Sequence, residues 1–446
     1  MSNAISGEKS VILVPQNLME KKKEELKQFL TEIKELDFWK SYSEHKNFII
    51  DPEKFSLEYW QSLPLSSKED FIKMGLKERI RDAFKINTPD VIFNLILRAT
   101  SGTIGSTNPV LFLNPVINSS NVFDKMKEDS VRVLTMQRSY MMGLRSALLN
   151  IIKCMRKKAA FETLIVNPGL GGISSALKEY SADMIVGLPQ SFAKLAAEFY
   201  DRREIIKNVK KIKMNGDFLN KDHASLITDF FSGVKDLDMG IDYAMTEFGK
   251  VGTWCKYLAK RYHGNAYHPG RFFLAEIVDA DPDGYGEIIV TKIIPRQLSL
   301  LRYCTGDIGK GIFETCECGA GVTLFLIGRK NFDYIKCAGA LVVRKEIERA
   351  ISIAAEDIEE WRGEVREHVR GREIVGELVL KLKFESGHGG YNEMVSIGDR
   401  ISENLFLTPA ETLKDLVDKK KFFPLKIELI KKFPDSPKKI MLRKII

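Results

Sequence analysis

Ala182-Asp183-Met184-Ile185-Val186-Gly187, then Ser191-Phe192-Ala193-Lys194-Leu195-Ala196-Ala197-Glu198-Phe199-Tyr200, then Lys210-Lys211-Ile212-Lys213-Met214 read as strand, helix and strand. The same alternation extends upstream, with a helix expected over Ser130–Arg156, a strand over Thr163–Val166 and a Gly-rich turn over Pro168–Gly172. Earlier still, Leu18–Asp37 and Lys68–Phe84 have helical spacing, the second after the capping hydroxyls Ser66 and Ser67. Val91–Leu97 is a short apolar run that ends in small residues and reads as a strand running into a turn, with a helix end as the alternative. Strands alternating with helices predict an α/β fold with a largely parallel sheet.

Beyond Tyr243 the texture becomes β-rich. Phe272–Val278 and Gly286–Thr291 are strands flanking the turn Asp281-Pro282-Asp283-Gly284. Polar Arg329-Lys330-Asn331 reads as a linker. After it come a helix over Arg344–Ala355, a strand over Glu377–Phe384, a helix over Glu411–Lys421 and a strand over Leu425–Leu429. The expectation is a large domain over 1–329, of mainly parallel sheets flanked by helices, and a small mobile α+β domain over 330–446.

With 446 residues, 44% hydrophobic and 29% charged, the chain has the composition of a globular protein. Its net charge of +8 comes from 68 basic and 60 acidic residues that are interspersed, which argues against a nucleic-acid stripe. No apolar run approaches the ~18 residues of a membrane span, and no signal-peptide pattern opens the chain. Six cysteines are too sparse for a disulfide scaffold. A cytoplasmic enzyme without membrane or nucleic-acid partners is the expectation.

Five segments carry chemistry. Thr100-Ser101-Gly102-Thr103-Ile104-Gly105-Ser106-Thr107 offers hydroxyls and backbone N–H groups that can wrap a phosphate, without the Lys of a Walker loop. Tyr243-Ala244-Met245-Thr246-Glu247-Phe248-Gly249 sets an aromatic ring, a hydroxyl and a carboxylate close together. Arg302-Tyr303-Cys304-Thr305-Gly306-Asp307 ends in an acid suited to a sugar diol. Gly328-Arg329 with Lys336 and Gly339, and Pro434-Asp435-Ser436-Pro437-Lys438-Lys439, complete the set.

In this order and spacing they resemble the core motifs of the adenylate-forming superfamily of acyl-CoA synthetases, from about Thr100 to the C-terminus. Within it the chain is similar to the phenylacetate–CoA ligase group, through Thr246–Gly249, Leu300–Asp307 and Cys316-Glu317-Cys318-Gly319. The resemblance implies that Ser101, Thr103 and Ser106, with Gly102 and Gly105 in the same loop, hold the ATP β- and γ-phosphates. It implies that Tyr243 stacks on adenine, Thr246 meets the α-phosphate and Glu247 binds Mg²⁺. Asp307 would take both ribose hydroxyls, supported by Arg329. Gly216-Asp217 stands where the family has a segment lining the nucleotide site. Asn331 falls at the interdomain hinge and Lys439 at the mobile catalytic lysine, with Lys438 a one-residue register alternative.

Departures from the family pattern are Ile104 in the phosphate loop, Thr107-Asn108 without a nearby Lys, Cys304 for Arg, and Asn331 for Asp. Cys316 and Cys318, one residue apart, are too close for an ordinary zinc knuckle, and read alone suit free thiols equally well. Relatives in the group use this pair with an upstream Cys and His for structural Zn²⁺. The resemblance thus implies Cys255, His268, Cys316 and Cys318 as ligands, with His263 the alternative histidine.

The implied activity is ATP-dependent adenylation of an organic, aryl-type carboxylic acid, followed by transfer to the thiol of coenzyme A. Two alternatives stay open: loading of an acyl carrier protein or other protein thiol, and a non-catalytic nucleotide-binding protein. The expected ligands are ATP/AMP, Mg²⁺, coenzyme A and structural Zn²⁺, with a homodimer left open.

Overall fold

The computed structural model describes residues 20–73, 81–82, 95–99, 111–115, 130–136, 160–166, 173–219, 221–245, 247–255, 257–258, 265–293, 300–329, 334–355, 358–371, 373–384, 391–408, 410–430, 433 and 442–444. They fall into two compact units. The first draws on Met1–Gly102, Thr107–Lys125 and Asp242–Ile327, the second on Thr103–Ser106, Met126–Ile241 and Gly328–Ile446.

The first unit opens with α1 (Lys23–Ile33), α2 (Asp37–Lys46), α3 (Leu57–Ser62) and α4 (Lys68–Lys73). Leu26, Phe29, Leu30 and Ile33 line one stripe of α1 and are buried. Phe38 stacks on Phe71 at 4.7 Å between centroids, closing an aromatic core with Trp39 and Tyr42. The first turn of α2 is capped from a distance: both carboxylate oxygens of fully buried Asp82 accept N–H bonds, from Asp37 and Phe38, at 2.9 and 2.8 Å. A hairpin of β1 (Leu95–Ala99) and β2 (Leu111–Pro115) follows.

In the second unit β3 (Ser130–Met136), β4 (Ala160–Val166), β5 (Met184–Gly187) and β6 (Lys211–Asn215) pair in parallel in the order β4-β3-β5-β6. Helices α5 (Ile173–Tyr180) and α6 (Pro189–Glu198) make the long connections that parallel pairs need, and α7 (Lys221–Phe231) follows β6. The helix expected over Ser130–Arg156 is corrected here: its first seven residues are β3, and the rest lie outside the described residues. Val131, Val133 and Thr135 are β-branched, which suits a strand, and pairing on both edges sets it inside the parallel sheet.

The first unit resumes with β7 (Asp238–Met245), β8 (Gly249–Thr253), β9 (Ala266–Pro269), β10 (Phe273–Val278), β11 (Gly286–Lys292), β12 (Leu300–Ile312) and β13 (Thr323–Arg329), in the order β10-β11-β12-β13-β9-β8-β7. The pairs of β10 with β11, β11 with β12, β13 with β9, β9 with β8 and β8 with β7 are antiparallel. Every residue of β10 and β11 is buried.

The C-terminal part of the second unit begins with the hairpin β14 (Tyr334–Cys337) and β15 (Ala340–Val343), whose Ala338-Gly339 turn has positive φ at both residues. Then come α8 (Arg344–Ala354), the long hairpin β16 (Ile358–Arg370) and β17 (Glu373–Phe384), α9 (Tyr391–Asn404), α10 (Leu413–Asp418), β18 (Lys426–Leu429) and β19 (Leu442–Lys444). The sheet order is β18-β17-β16-β19. Ile347, Ala350, Ile351 and Ala354 of α8 pack with Leu378, Leu380 and Leu382 of β17 in one core. Thr412 and Asp415 form a capping box at α10. Among the described residues no helix is long and apolar enough to cross a membrane.

Candidate functional site

Two interruptions in the pairing of β12 decide where its side chains go. Against β11, Val290 pairs with Tyr303 and Lys292 with Leu300, so Leu301 and Arg302 face the single residue Thr291. Further along, Ile289 pairs with Cys304 and Glu287 with Ile308, so Thr305, Gly306 and Asp307 face Ile288. Both are bulges, which bend a strand and re-aim its side chains.

The first bulge serves the architecture. Arg302 has φ +43° and gives its N–H to Thr291 Oγ1 at 3.0 Å. Its guanidinium, 2% exposed, meets both carboxylate oxygens of Glu276 at 3.1 and 3.2 Å and donates to the carbonyls of Gln61 (2.8 Å) and Leu63. Fully buried Trp60 adds an indole N–H to Glu276 at 3.1 Å. Burial pushes the Glu276 carboxyl above its ordinary range, and the Arg302 charge and hydrogen bonds pull against that. The segment after α3 is stitched to the same bulge: Ser66 N–H bonds the Arg302 carbonyl at 3.0 Å, and Cys304 N–H the Ser66 carbonyl at 2.8 Å.

The second bulge holds Asp307, 1% exposed. Gly306 has φ +73°, a conformation that only glycine adopts at little cost. Thr305 Oγ1 donates to the Ile288 carbonyl at 2.6 Å and accepts the Asp307 N–H at 3.0 Å, pinning the backbone. The carboxylate takes the phenol of Tyr243, from β7, at 2.6 Å. Tyr243 and Asp307 of the expected nucleotide site therefore meet. Between the bulges, buried Tyr303 gives its hydroxyl to Glu247 Oε1 at 3.3 Å, its ring set edge-on to Phe71 and Phe248. Burial and the Glu247 charge raise the Tyr303 phenol well above its ordinary range, so it remains a donor.

In the second unit, Gly216 and Asp217 follow β6, Gly216 with φ +82°. Asp217 Oδ2 accepts from Gln190 Nε2 at 2.6 Å and Oδ1 from the Phe218 N–H at 2.8 Å. Arg329 ends β13. Ser101, Gly102, Thr103, Gly105, Ser106, Thr246, His263, Asn331, Lys438 and Lys439 lie outside the described residues.

Cys255, His268, Cys316 and Cys318 come together, their ligand atoms all within 4.8 Å of one another. His268 Nε2 lies 3.4 Å from Cys255 Sγ and 3.2 Å from Cys318 Sγ, and the Cys255 and Cys316 sulfurs are 3.8 Å apart. A tetrahedron with metal–sulfur bonds of about 2.3 Å and metal–nitrogen of about 2.1 Å has edges of about 3.8 and 3.6 Å, so the spacing suits a soft divalent cation. His268 Nδ1 sits 2.8 Å from the Val322 carbonyl; donating there leaves the Nε2 lone pair for the sulfurs. Burial raises the Cys255 thiol to about 11. At Cys316 burial also raises, but hydrogen bonds from Cys318 and Cys255 outweigh it and the thiol is lowered.

The sequence reading did not find Gln190 behind Asp217, Tyr303 behind Glu247, or the Trp60–Glu276–Arg302 cluster. Tyr303 and Arg302 stood within a quoted motif; Gln190, Trp60 and Glu276 carry no local signal.

No family model matches the chain, and no curated protein matches it. Among solved structures it is similar to 2-hydroxyisobutyryl-CoA ligase in complex with 2-HIB-AMP and CoA in the thioesterification state, at 16% identity, TM-score 0.57, covering 97% of this chain and 91% of that one. The same ligase in the postadenylation state gives 16% identity, TM-score 0.53, and coverage of 96% and 90%. At that identity the likeness is one of fold, and it spans nearly the whole of both chains: this protein shares the α/β fold of that CoA ligase.

Proposed function

We propose that the chain activates a small carboxylic acid with ATP and passes the acyl group to the thiol of coenzyme A. The observation that carries this reading is the near full-length fold likeness to a ligase captured with an acyl-AMP and CoA, and the convergence of Tyr243 on Asp307 supports it. A carboxylate is a poor electrophile; attack of its oxygen on the α-phosphate expels pyrophosphate and leaves a mixed anhydride. The thiol then attacks the acyl carbon and AMP leaves. Asp307 orients the ribose, Thr246 the α-phosphate, and Lys439 offsets charge growing at phosphorus. Glu247, held by Tyr303, would hold Mg²⁺, which when bound neutralises phosphate charge. A small domain over 330–446 would turn about Asn331 between the two steps.

Cys255, His268, Cys316 and Cys318 would hold a closed structural Zn²⁺, about one per chain. Cys316→Ser should lower both zinc content and melting temperature; metal-free protein of equal stability would remove zinc from this reading.

Pyrophosphate exchange across a panel of aryl and short hydroxy acids tests the function. ATP re-formation that depends on one acid class supports it, and absence of exchange with ATP still bound leaves a non-catalytic nucleotide binder. Release of a CoA thioester, measured beside acylation of a carrier protein, separates the two acceptors.

A further inference from the structure

We propose that His223 and Glu367 form a reversible docking contact that holds the C-terminal part of the chain, 330–446, against helix α7. Each stands where the pattern of its own element calls for an apolar residue. On α7 the buried stripe is His223, Ile227, Phe230 and Phe231, at the spacing of one helix face. On β16 the inward positions are Trp361 and Val365, and Glu367 follows Val365 on the same face by the two-residue period of a strand. Both side chains are buried, His223 to 1% exposure and Glu367 to 6%. They meet: α7 packs against β16, and His223 Nε2 lies 3.9 Å from Glu367 Oε2. Two breaks in two separate apolar patterns thus coincide at one point in space.

The carboxylate also belongs to the hairpin beside it. Its Oε1 accepts the Ala338 N–H at 2.7 Å, and the neighbouring Cys337 Sγ donates to the Arg366 carbonyl at 3.3 Å. Across the ladder from Glu367 stands Gly376, where a Cβ would come within 2.8 Å of the Cys337 sulfur, so the missing side chain makes room for the hairpin. The same turn reaches α6: a Cβ on Gly339 would lie 3.6 Å from Lys194 Nζ. Glu367 thus ties the β14–β15 hairpin to β16 with one oxygen and turns the other toward α7. Its polarity is what makes the contact reversible. An apolar pair, once parted, exposes surface that water penalises, whereas an imidazole and a carboxylate regain the hydration that burial took away. A region that leaves α7 and returns to it, as a C-terminal domain turning between two half-reactions would, can part readily at such a pair.

Hydrogen exchange on the full-length chain, read by mass spectrometry over α7, the β14–β15 hairpin and α9, tests this without ATP or an acid, so its outcome is separate from that of the activity. In the wild type α7 and the hairpin should open together, in a step easier than the global unfolding measured by urea, and α9 should not share it. His223→Leu and Glu367→Gln, the second keeping an acceptor for the Ala338 N–H, should each speed exchange of α7 and the hairpin alike by about tenfold or more, the loss expected for a contact to a carboxylate. The paired variant should be no faster than the faster single one, because one contact can be lost only once. The double-mutant cycle reads this coupling whatever else each side chain touches. If His223→Leu does not fold, His223→Gln takes its place in the cycle. Exchange of α7 and the hairpin only through global unfolding overturns the proposal. So does a variant that loosens its own segment alone, or a pair whose effects multiply in full.

Discussion

The two bulges on β12 are built alike and used differently. Each is closed by a threonine hydroxyl that accepts the main-chain N–H of the residue thrown out of register: Thr291 for Arg302, Thr305 for Asp307. Each directs a charged side chain into the interior. Arg302 meets the opposite charge of Glu276 and two carbonyls, and the Trp60 indole closes the cluster by donating to Glu276. Asp307 meets a phenol. At the first bulge the interior side chain is met by an opposite charge; at the second it takes a hydrogen bond from a phenol. The same backbone device thus seats an ion pair at one place and a phenol–carboxylate bond a few residues later.

The contrast is open to direct attack. Arg302→Ala should give the largest effect, because it strands Glu276: about 3–5 kcal/mol of stability is expected to go, read by urea unfolding. Replacing both partners, Arg302→Leu with Glu276→Leu, should recover much of it. If Arg302→Ala unfolds no earlier than Asp307→Ala, the two bulges do not differ in what they hold. Next, Lys439→Ala should slow pyrophosphate exchange by roughly a hundredfold, about 3 kcal/mol, with stability unchanged. It should also spare thioester formation from supplied acyl-adenylate, and equal loss in both half-reactions would place the lysine elsewhere. Asp307→Ala should cost roughly 1.5–3 kcal/mol in ATP affinity for each bond lost, by calorimetric titration, and far less in stability than Arg302→Ala.

The smallest expected effect lies beyond the second bulge, at the sulfur cluster. A thiol raised to about 11 is protonated at neutral pH, so Cys255 must give up a proton to bind zinc. Between pH 6 and 8 its share of zinc affinity should therefore rise tenfold per pH unit, about 1.4 kcal/mol, and fall again as pH is lowered. Competition titrations with a chelator of known pH dependence, on the wild type and Cys255→Ser, should show a slope shallower by about one in the variant, and equal slopes would exclude Cys255 from the ligand set.

What could be read from the sequence was whatever is local or chemically rare. The strand–helix–strand of β5, α6 and β6 lies within a residue or two of its expected bounds. The Asp281–Gly284 turn closes as expected, Gly284 N–H to the Asp281 carbonyl at 2.9 Å. Cys255, His268, Cys316 and Cys318 are grouped through the family resemblance alone; read by themselves, the closely spaced cysteines suit free thiols equally well. The helix expected from Ser130 failed because pairing with β4 and β5, a tertiary effect, holds the β-branched Ser130–Met136 segment as a strand. The bulges were illegible for another reason: a strand's register is a property of two segments. Nothing in Arg302 or Asp307 alone says that Thr291 and Ile288 each face more than one residue.

The stitching of the first bulge also has a consequence for the order of assembly. Trp60, Gln61 and Ser66 find their partners 216, 241 and about 235 residues downstream. At synthesis rates of roughly 5–20 residues per second those partners leave the ribosome on the order of 10–50 s later. Helices α1 to α4 can close their aromatic core meanwhile, but Trp60 and the Ser66 main chain wait with apolar and hydrogen-bonding groups exposed. The slow, aggregation-exposed step in making this protein is then the capture of an early segment by a late strand, and a chain cut short before β12 is the form that chaperones would be expected to hold.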